Sequence, residues 1–190
     1  MRLFYSYLIP LMWVAFFTYW RIMAGSTKAT QRLEPAASRI LRAVFFIGAI
    51  ALFMIHSLPA RWFYLRFLPL SLLWFYVGAA VTLAGLLFAV WARVHIAGNW
   101  SSSVTVKRDH QLIMTGPYAA VRHPIYTGML VGFLGSAIAL GQYRGLIALV
   151  LVFCILWLKL RLEEKWMRLT FGDAWESYSK RTAALVPGVL

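Results

Sequence analysis

"PIYTGMLVGFLGSAIALGQYRGLIALVLVFCILWL", residues 124–158, holds a single charge, Arg144, between two apolar runs. The first run, Pro124–Tyr143, is uncharged and reaches the length of about 20 residues that crosses a bilayer. The second, Gly145–Leu158, is short, but Lys159 and Arg161 extend it if their aliphatic stems snorkel to the interface. So tight a connection between two apolar helices forms an antiparallel hairpin. Gly128, Gly132 and Ser136 recur every four residues, so small side chains share one face of the first helix. In lipid such a face lets two backbones approach closely, and the nearest candidate neighbour is the second arm of the hairpin.

Outward from the hairpin, three more apolar segments precede it: Leu3–Trp20, Ala43–Leu58 and Phe67–Trp91. The 190-residue chain is 62% hydrophobic and 13% charged, where soluble domains carry roughly a quarter charged residues. A small domain cannot bury so much apolar surface. The expected fold is all-α and polytopic, with about five transmembrane helices. Leu3–Trp20 is too long and aromatic for a signal core and is expected to be a retained helix. Cys154, the sole cysteine, excludes an intrachain disulfide or Cys-based zinc site and is expected to be a small core residue.

Five spans place fifteen Lys/Arg on one side and four (Arg2, Arg61, Arg66, Arg144) on the other. The positive-inside rule then puts the N-terminus outside and the C-terminus in the cytosol. The net charge of +13 lies between apolar runs, which favours anionic lipid headgroups over nucleic acid. The chain divides into three N-terminal helices, residues 1–92, and a region 93–190 made of a cytosolic loop, the hairpin and a tail. The Arg93–His123 loop is long enough to be functional, and "GNWSSS" and "TGPY" punctuate it as turns. The tail "RLEEKWMRLTFGDAWESYSKR" predicts an amphipathic helix, a break at Gly172 and a second helical piece. Trp166, Phe171, Trp175 and Tyr178 are expected at the membrane interface.

Two patches are candidates for chemistry. In "VRHPIYTG", Pro124 suits a first helical turn, and the residue before a proline avoids helical geometry, so His123 should end an extended stretch. Arg122 and His123 alone are most simply an interfacial anchor. In "KLRLEEKW", Arg161–Glu164 and Glu164–Arg168 stand at helical ion-pair spacing, most simply a solvated face. The hairpin, however, brings both patches to one end. Two arginines, a histidine and two carboxylates converging there make a stronger candidate than either patch alone.

"GPYAAVRHPIYTG", followed about forty residues later by "EEKWMRLTFGDAWESY" and preceded by "AGNWS", resembles the isoprenylcysteine carboxyl methyltransferase family and its phospholipid methyltransferase relatives. The likeness runs from about His95 to Pro187. It implies a membrane methyltransferase that uses S-adenosylmethionine, held between the RHP loop and the C-terminal segment in a helical, non-Rossmann pocket. The family motif falls on Arg122, His123, Pro124, Tyr126 and Gly128, and its preceding element on Leu112, Gly116 and Tyr118. The acidic pair falls on Glu163 and Glu164, with Arg161 as the basic residue facing the substrate. The implied catalytic residues are Arg161 and Glu164, and the motif residues together with Glu163 and Glu164 surround the cofactor.

Methyl transfer from a sulfonium is an in-line displacement requiring alignment within about 3–3.5 Å and no metal. A carboxylate acceptor, with a reference pKa of roughly 3.5, arrives ionised and needs only an orienting cation, for which arginine's fork is suited. Tyr118, Tyr126 and Trp166 offer faces for a sulfonium charge. A lipid amine must first lose a proton, for which His123 or a glutamate could act as base. The expected acceptor is lipid-like, an isoprenylcysteine-type carboxylate or alternatively a phospholipid amine. A nicotinamide-dependent membrane reductase of the sterol-reductase type and a non-catalytic lipid-binding protein are the readings from other classes. His56 falls at the outer end of a span as an interfacial residue; His95 and His110 lack metal-ligand spacing, and His110 is placed near the cofactor pocket.

Overall fold

A computed structural model describes residues 2–23, 30–33, 36–54, 61–97, 100, 105–107 and 112–188. "GNWSSS" apart from Trp100, together with His56 and His110, lies outside the described residues. The elements in chain order are α1 (Arg2–Met23), β1 (Thr30–Leu33), α2 (Ala36–Met54), a 3-10 turn (Arg61–Tyr64), α3 (Leu72–Ile96), β2 (Thr105–Lys107), α4 (Pro117–Ala120), α5 (Pro124–Leu140), α6 (Tyr143–Phe171) and α7 (Asp173–Arg181). The architecture is a helical bundle. Among the described residues β1 and β2 pair as a short antiparallel ribbon beside the helices.

Three helices, α2, α3 and α6, are long and apolar enough to cross a membrane, and the Tyr7–Met23 part of α1 and α5 are shorter apolar helices. Exposed Ile22, Leu87, Val150 and Leu158 suit contact with lipid. Cys154 is exposed as well, on a lipid-facing side of α6 rather than in the core. The second span starts earlier than the hydropathy suggests, at Ala36, and takes Arg39 and Arg42 into the helix. Arg42 donates to Ser38 one turn back at 2.7 Å, which keeps its charge hydrogen-bonded inside helical geometry.

The hairpin forms as expected. α5 ends at Gly141, whose φ of +65 suits glycine at a helix C-terminus, and α6 starts two residues later. The small-residue face of α5, however, packs on α3, which is the most extensive helix pairing in the fold. A Cβ on Gly128 would stand 2.6 Å from the Gly85 carbonyl oxygen, and one on Gly85 2.5 Å from the Gly132 nitrogen. Complementary small residues on α3 (Gly78, Thr82, Gly85, Ala89) provide the close partner, whereas α6 presents bulkier Val152, Ile155 and Leu156. Ser136 accepts from Trp13 Nε1 at 3.0 Å and lies 3.3 Å from Thr82 Oγ1, which ties α1, α3 and α5 together inside the bundle. One core cluster runs from Phe133 through Val152 and Leu156 to Leu160 and Leu185. The floor of the site is therefore apolar.

Candidate active site

α6 has 29 residues, so at ~1.5 Å per residue it exceeds a hydrocarbon core of about 30 Å and carries its charged last turns beyond it. Those turns stand beside the start of α5. His123 caps α5 with φ −124 and ψ 60, and Pro124 begins the helix; His123 avoids helical geometry as a residue before proline should, but it is not fully extended. The His123 carbonyl accepts from the Tyr126 and Thr127 amides at 3.0 and 3.1 Å.

Arg122 and His123 meet the paired glutamates. Arg122 Nε donates to Glu164 Oε1 at 2.7 Å, and His123 Nε2 lies 3.3 Å from the same oxygen. His123 Nδ1 is 3.7 Å from Glu163 Oε2, which accepts from the Tyr126 hydroxyl at 2.7 Å. The imidazole thus stands between two carboxylates and runs parallel to the Tyr126 ring, at 6° and 5.4 Å between centroids. Lys159 Nζ lies 3.7 Å from Glu163 Oε1 and 5.4 Å from the Tyr126 ring centre. The Glu163 and Glu164 side chains remain 21% and 18% exposed.

The chain after α7 holds this corner from the other side. The Arg122 and His123 amides donate to the Ala183 and Ala184 carbonyls at 2.8 and 3.0 Å. Val121 and Ala183 form a parallel bridge. Arg122 Nη1 also donates to the Ser179 carbonyl at 3.0 Å and to that of Thr182, and Thr127 Oγ1 donates to Leu185 O at 2.7 Å. The Tyr178 hydroxyl donates to Tyr118 O at 2.6 Å. Burial pushes the Tyr178 phenol up to about 12, with Arg122 opposing the rise and Glu164 adding to it. Tyr118 is also pushed upward, first by burial and then by Glu163. Both phenols are neutral donors at ordinary pH.

The geometry brings together Arg122, His123, Tyr126, Glu163 and Glu164, with Tyr118 held nearby through its bond from Tyr178. Pro124 is buried at the first turn of α5, and Leu112 is half-buried in the irregular stretch before Gly116. Gly128 instead faces α3, where its lack of a side chain serves helix packing. Arg161 is exposed, with its guanidinium carbon 6.0 Å from the Trp157 ring centre. The expected Arg161–Glu164 and Glu164–Arg168 pairs are replaced: Glu164 turns to Arg122, and Arg168 bonds Glu176 across the Gly172 bend. Trp166, Trp175 and Tyr178 are buried against protein rather than resting at the interface, because α7 folds back toward the corner. Residues missed by the sequence reading are Thr127 and the 182–185 strap, which is joined through backbone carbonyls and so has no side-chain signature. Lys159 was assigned only as a snorkelling end.

These features define a membrane-embedded helical bundle with a charged corner at one end of a hairpin. Residues 73–174 match the model of the phospholipid methyltransferase family, and the chain belongs to that family. It is 33% identical over 102 residues to protein-S-isoprenylcysteine O-methyltransferase of Schizosaccharomyces pombe, covering 50% of this chain and 42% of that protein. It is 26% identical over 161 residues to a probable protein-S-isoprenylcysteine O-methyltransferase of Oryza sativa subsp. indica, covering 82% and 83%. The solved structure of a eukaryotic intramembrane Ras methyltransferase, isoprenylcysteine carboxyl methyltransferase, shares the fold with a TM-score of 0.56 at 21% identity, over 83% of this chain and 55% of that one. The chain therefore spans about half the length of two of these three relatives.

Proposed function

We propose that the protein is a membrane methyltransferase that uses S-adenosylmethionine to methylate the carboxylate of an isoprenylcysteine-type, lipid-like acceptor at the bilayer surface. The observation that carries this reading is the convergence of His123 and Tyr126 on Glu163 and Glu164, with Arg122 holding Glu164. Ionised carboxylates are acceptors only, which fits a cofactor that presents hydroxyls and an ammonium. The nearby tyrosine rings fit a sulfonium cation. Glu163, Glu164, His123 and Tyr126 are the residues proposed to hold it, with Gly116 and Tyr118 bordering them. When bound, S-adenosylmethionine supplies an electrophilic methyl group.

The rest of the work falls to the chain. The core beneath the corner excludes water from one side, and Arg122 keeps Glu164 oriented. Arg161, on the exposed flank of α6, is the cation proposed to orient an acceptor that reaches it from the lipid. The acceptor carboxylate is already ionised, so no proton has to be removed. The regions 1–92 and 93–190 are proposed as support and catalytic halves, with five spans, the N-terminus outside and the C-terminus cytosolic. A second reading, N-methylation of a phospholipid amine, draws on one feature: His123 stands between two carboxylates, where a general base would take up the amine's proton.

Detergent-solubilised protein with labelled S-adenosylmethionine, offered prenylcysteine and lipid-amine acceptors in parallel, tests both. Label should pass to prenylcysteine; transfer to the amine alone would replace the carboxylate reading with the second. Arg161→Ala should keep S-adenosylhomocysteine binding and lose turnover, and full turnover in that variant would end its role as the clamp.

A further inference from the structure

The last turn of α3 faces the loop that leads into the corner, and His95 makes the contact. His95 Nε2 lies 2.9 Å from Thr115 Oγ1, one of the two donating. The imidazole runs nearly parallel to the Tyr118 ring, at 22° with centroids 6.3 Å apart. Between those residues Gly116 has φ +59, and a Cβ there would stand 2.7 Å from His95 Cε1. The loop backbone is therefore moulded onto the imidazole: Gly116 is required both by its positive φ and by the ring above it. Tyr118 closes the same contact by donating to Ala92 O, one turn before His95, at 3.4 Å.

The turn that presents His95 is itself fixed. Arg93 is 1% exposed, donates to Ala97 O at 2.8 Å and to Met23 O at 2.9 Å, and lies 4.6 Å from the Trp100 ring centre. It thereby joins the ends of α1 and α3. From this support the contact passes outward through Tyr118, whose carbonyl receives the Tyr178 hydroxyl, to the strap against Arg122.

We propose that His95 is a positioning residue for the reaction: it sets the Thr115–Tyr118 loop against α3, and so fixes the wall of the cofactor site, without touching cofactor or acceptor. The inference rests on the methyltransferase reading above. Its consequence is specific. Loss of the His95–Thr115 bond should raise the cofactor's KM and leave the acceptor's KM unchanged, because the acceptor is placed on the flank of α6.

The test is equilibrium binding of S-adenosylhomocysteine to the full chain in detergent, together with steady-state kinetics and thermal melting. His95→Ala should weaken binding about tenfold and Thr115→Val about fivefold. The double variant should be no weaker than His95→Ala, because both changes break one contact. His95→Gln keeps a group able to reach Thr115 and should recover part of the loss. The acceptor KM and melting temperature should stay at wild-type values in each. If His95→Ala fails to fold, Thr115→Val reads the same contact from the loop. Wild-type affinity in Thr115→Val, a double variant that multiplies the two losses, or an acceptor KM that rises with the cofactor's would overturn the inference. Wild-type protein that binds no S-adenosylhomocysteine would overturn the methyltransferase reading and this inference with it.

Discussion

The α5–α6 hairpin has an arginine at each end and uses the two differently. At the Gly141 end, Arg144 donates to Gln142 Oε1 at 2.7 Å and to Leu52 O at 3.2 Å, and lies 5.1 Å from the Tyr64 ring centre. These partners are neutral. At the His123 end, Arg122 donates to the Glu164 carboxylate and to two backbone carbonyls, with a histidine and a second carboxylate alongside. Neutral acceptors make Arg144 a staple between α6, α2 and the turn. At the other end a charged acceptor beside an imidazole belongs to the cluster proposed to hold the cofactor. The same residue type thus meets neutral groups at one end of the hairpin and a charged cluster at the other.

Glu164→Gln is the strongest way to break this contrast. It leaves Arg122 and His123 facing an amide of the same shape. Methyl transfer should fall at least ~100-fold, about 2.7 kcal/mol of barrier, with S-adenosylhomocysteine binding reduced in parallel. Turnover within threefold of wild type would show that the carboxylate pair is another staple.

Arg144→Met attacks the opposite end and should do the converse. It removes two hydrogen bonds and leaves the Leu52 carbonyl without this donor, so stability should drop by about 1–3 kcal/mol, read as a lowered melting midpoint in detergent. Cofactor affinity should stay within twofold of wild type. Loss of cofactor binding in the still-folded variant would mean that the two ends are coupled through the hairpin, and the division of labour would fail.

The contrast also explains what the sequence made legible. The hairpin could be read because Arg144 is the only charge in 35 residues, and a lone charge between apolar runs marks a turn. The pairing of Arg122 and His123 with Glu163 and Glu164 followed from that topology alone. The partner of the small-residue face did not. Gly78, Thr82, Gly85 and Ala89 have the complementary spacing, but two small-residue faces in one chain do not say that they meet, and sequence proximity pointed to α6 instead. Within the tail, helical spacing suggested Glu164–Arg168. The Gly172 bend let Glu176 reach Arg168, which left Glu164 to Arg122. The strap over the corner was hidden for another reason: Ala183, Ala184 and Leu185 contribute carbonyl oxygens, which every residue has.

The smallest predicted effect sharpens the comparison at the His123 end, where the strap is held by neutral groups like those around Arg144. The Tyr178 hydroxyl donates to Tyr118 O at 2.6 Å inside the protein, and Tyr178→Phe should cost about 1 kcal/mol at pH 8. The phenol is raised to about 12 by burial, so the fold favours its neutral form. That contribution is complete below the unfolded value of about 10 and is lost as pH rises through about 12. Melting curves for wild type and Tyr178→Phe should therefore stay separated up to about pH 10 and converge above it. Curves that coincide at every pH would mean that the ring's packing, and not its hydroxyl, holds α7 to Tyr118. The His123 end would then keep its charged cluster but lose the neutral clasp assigned to it here.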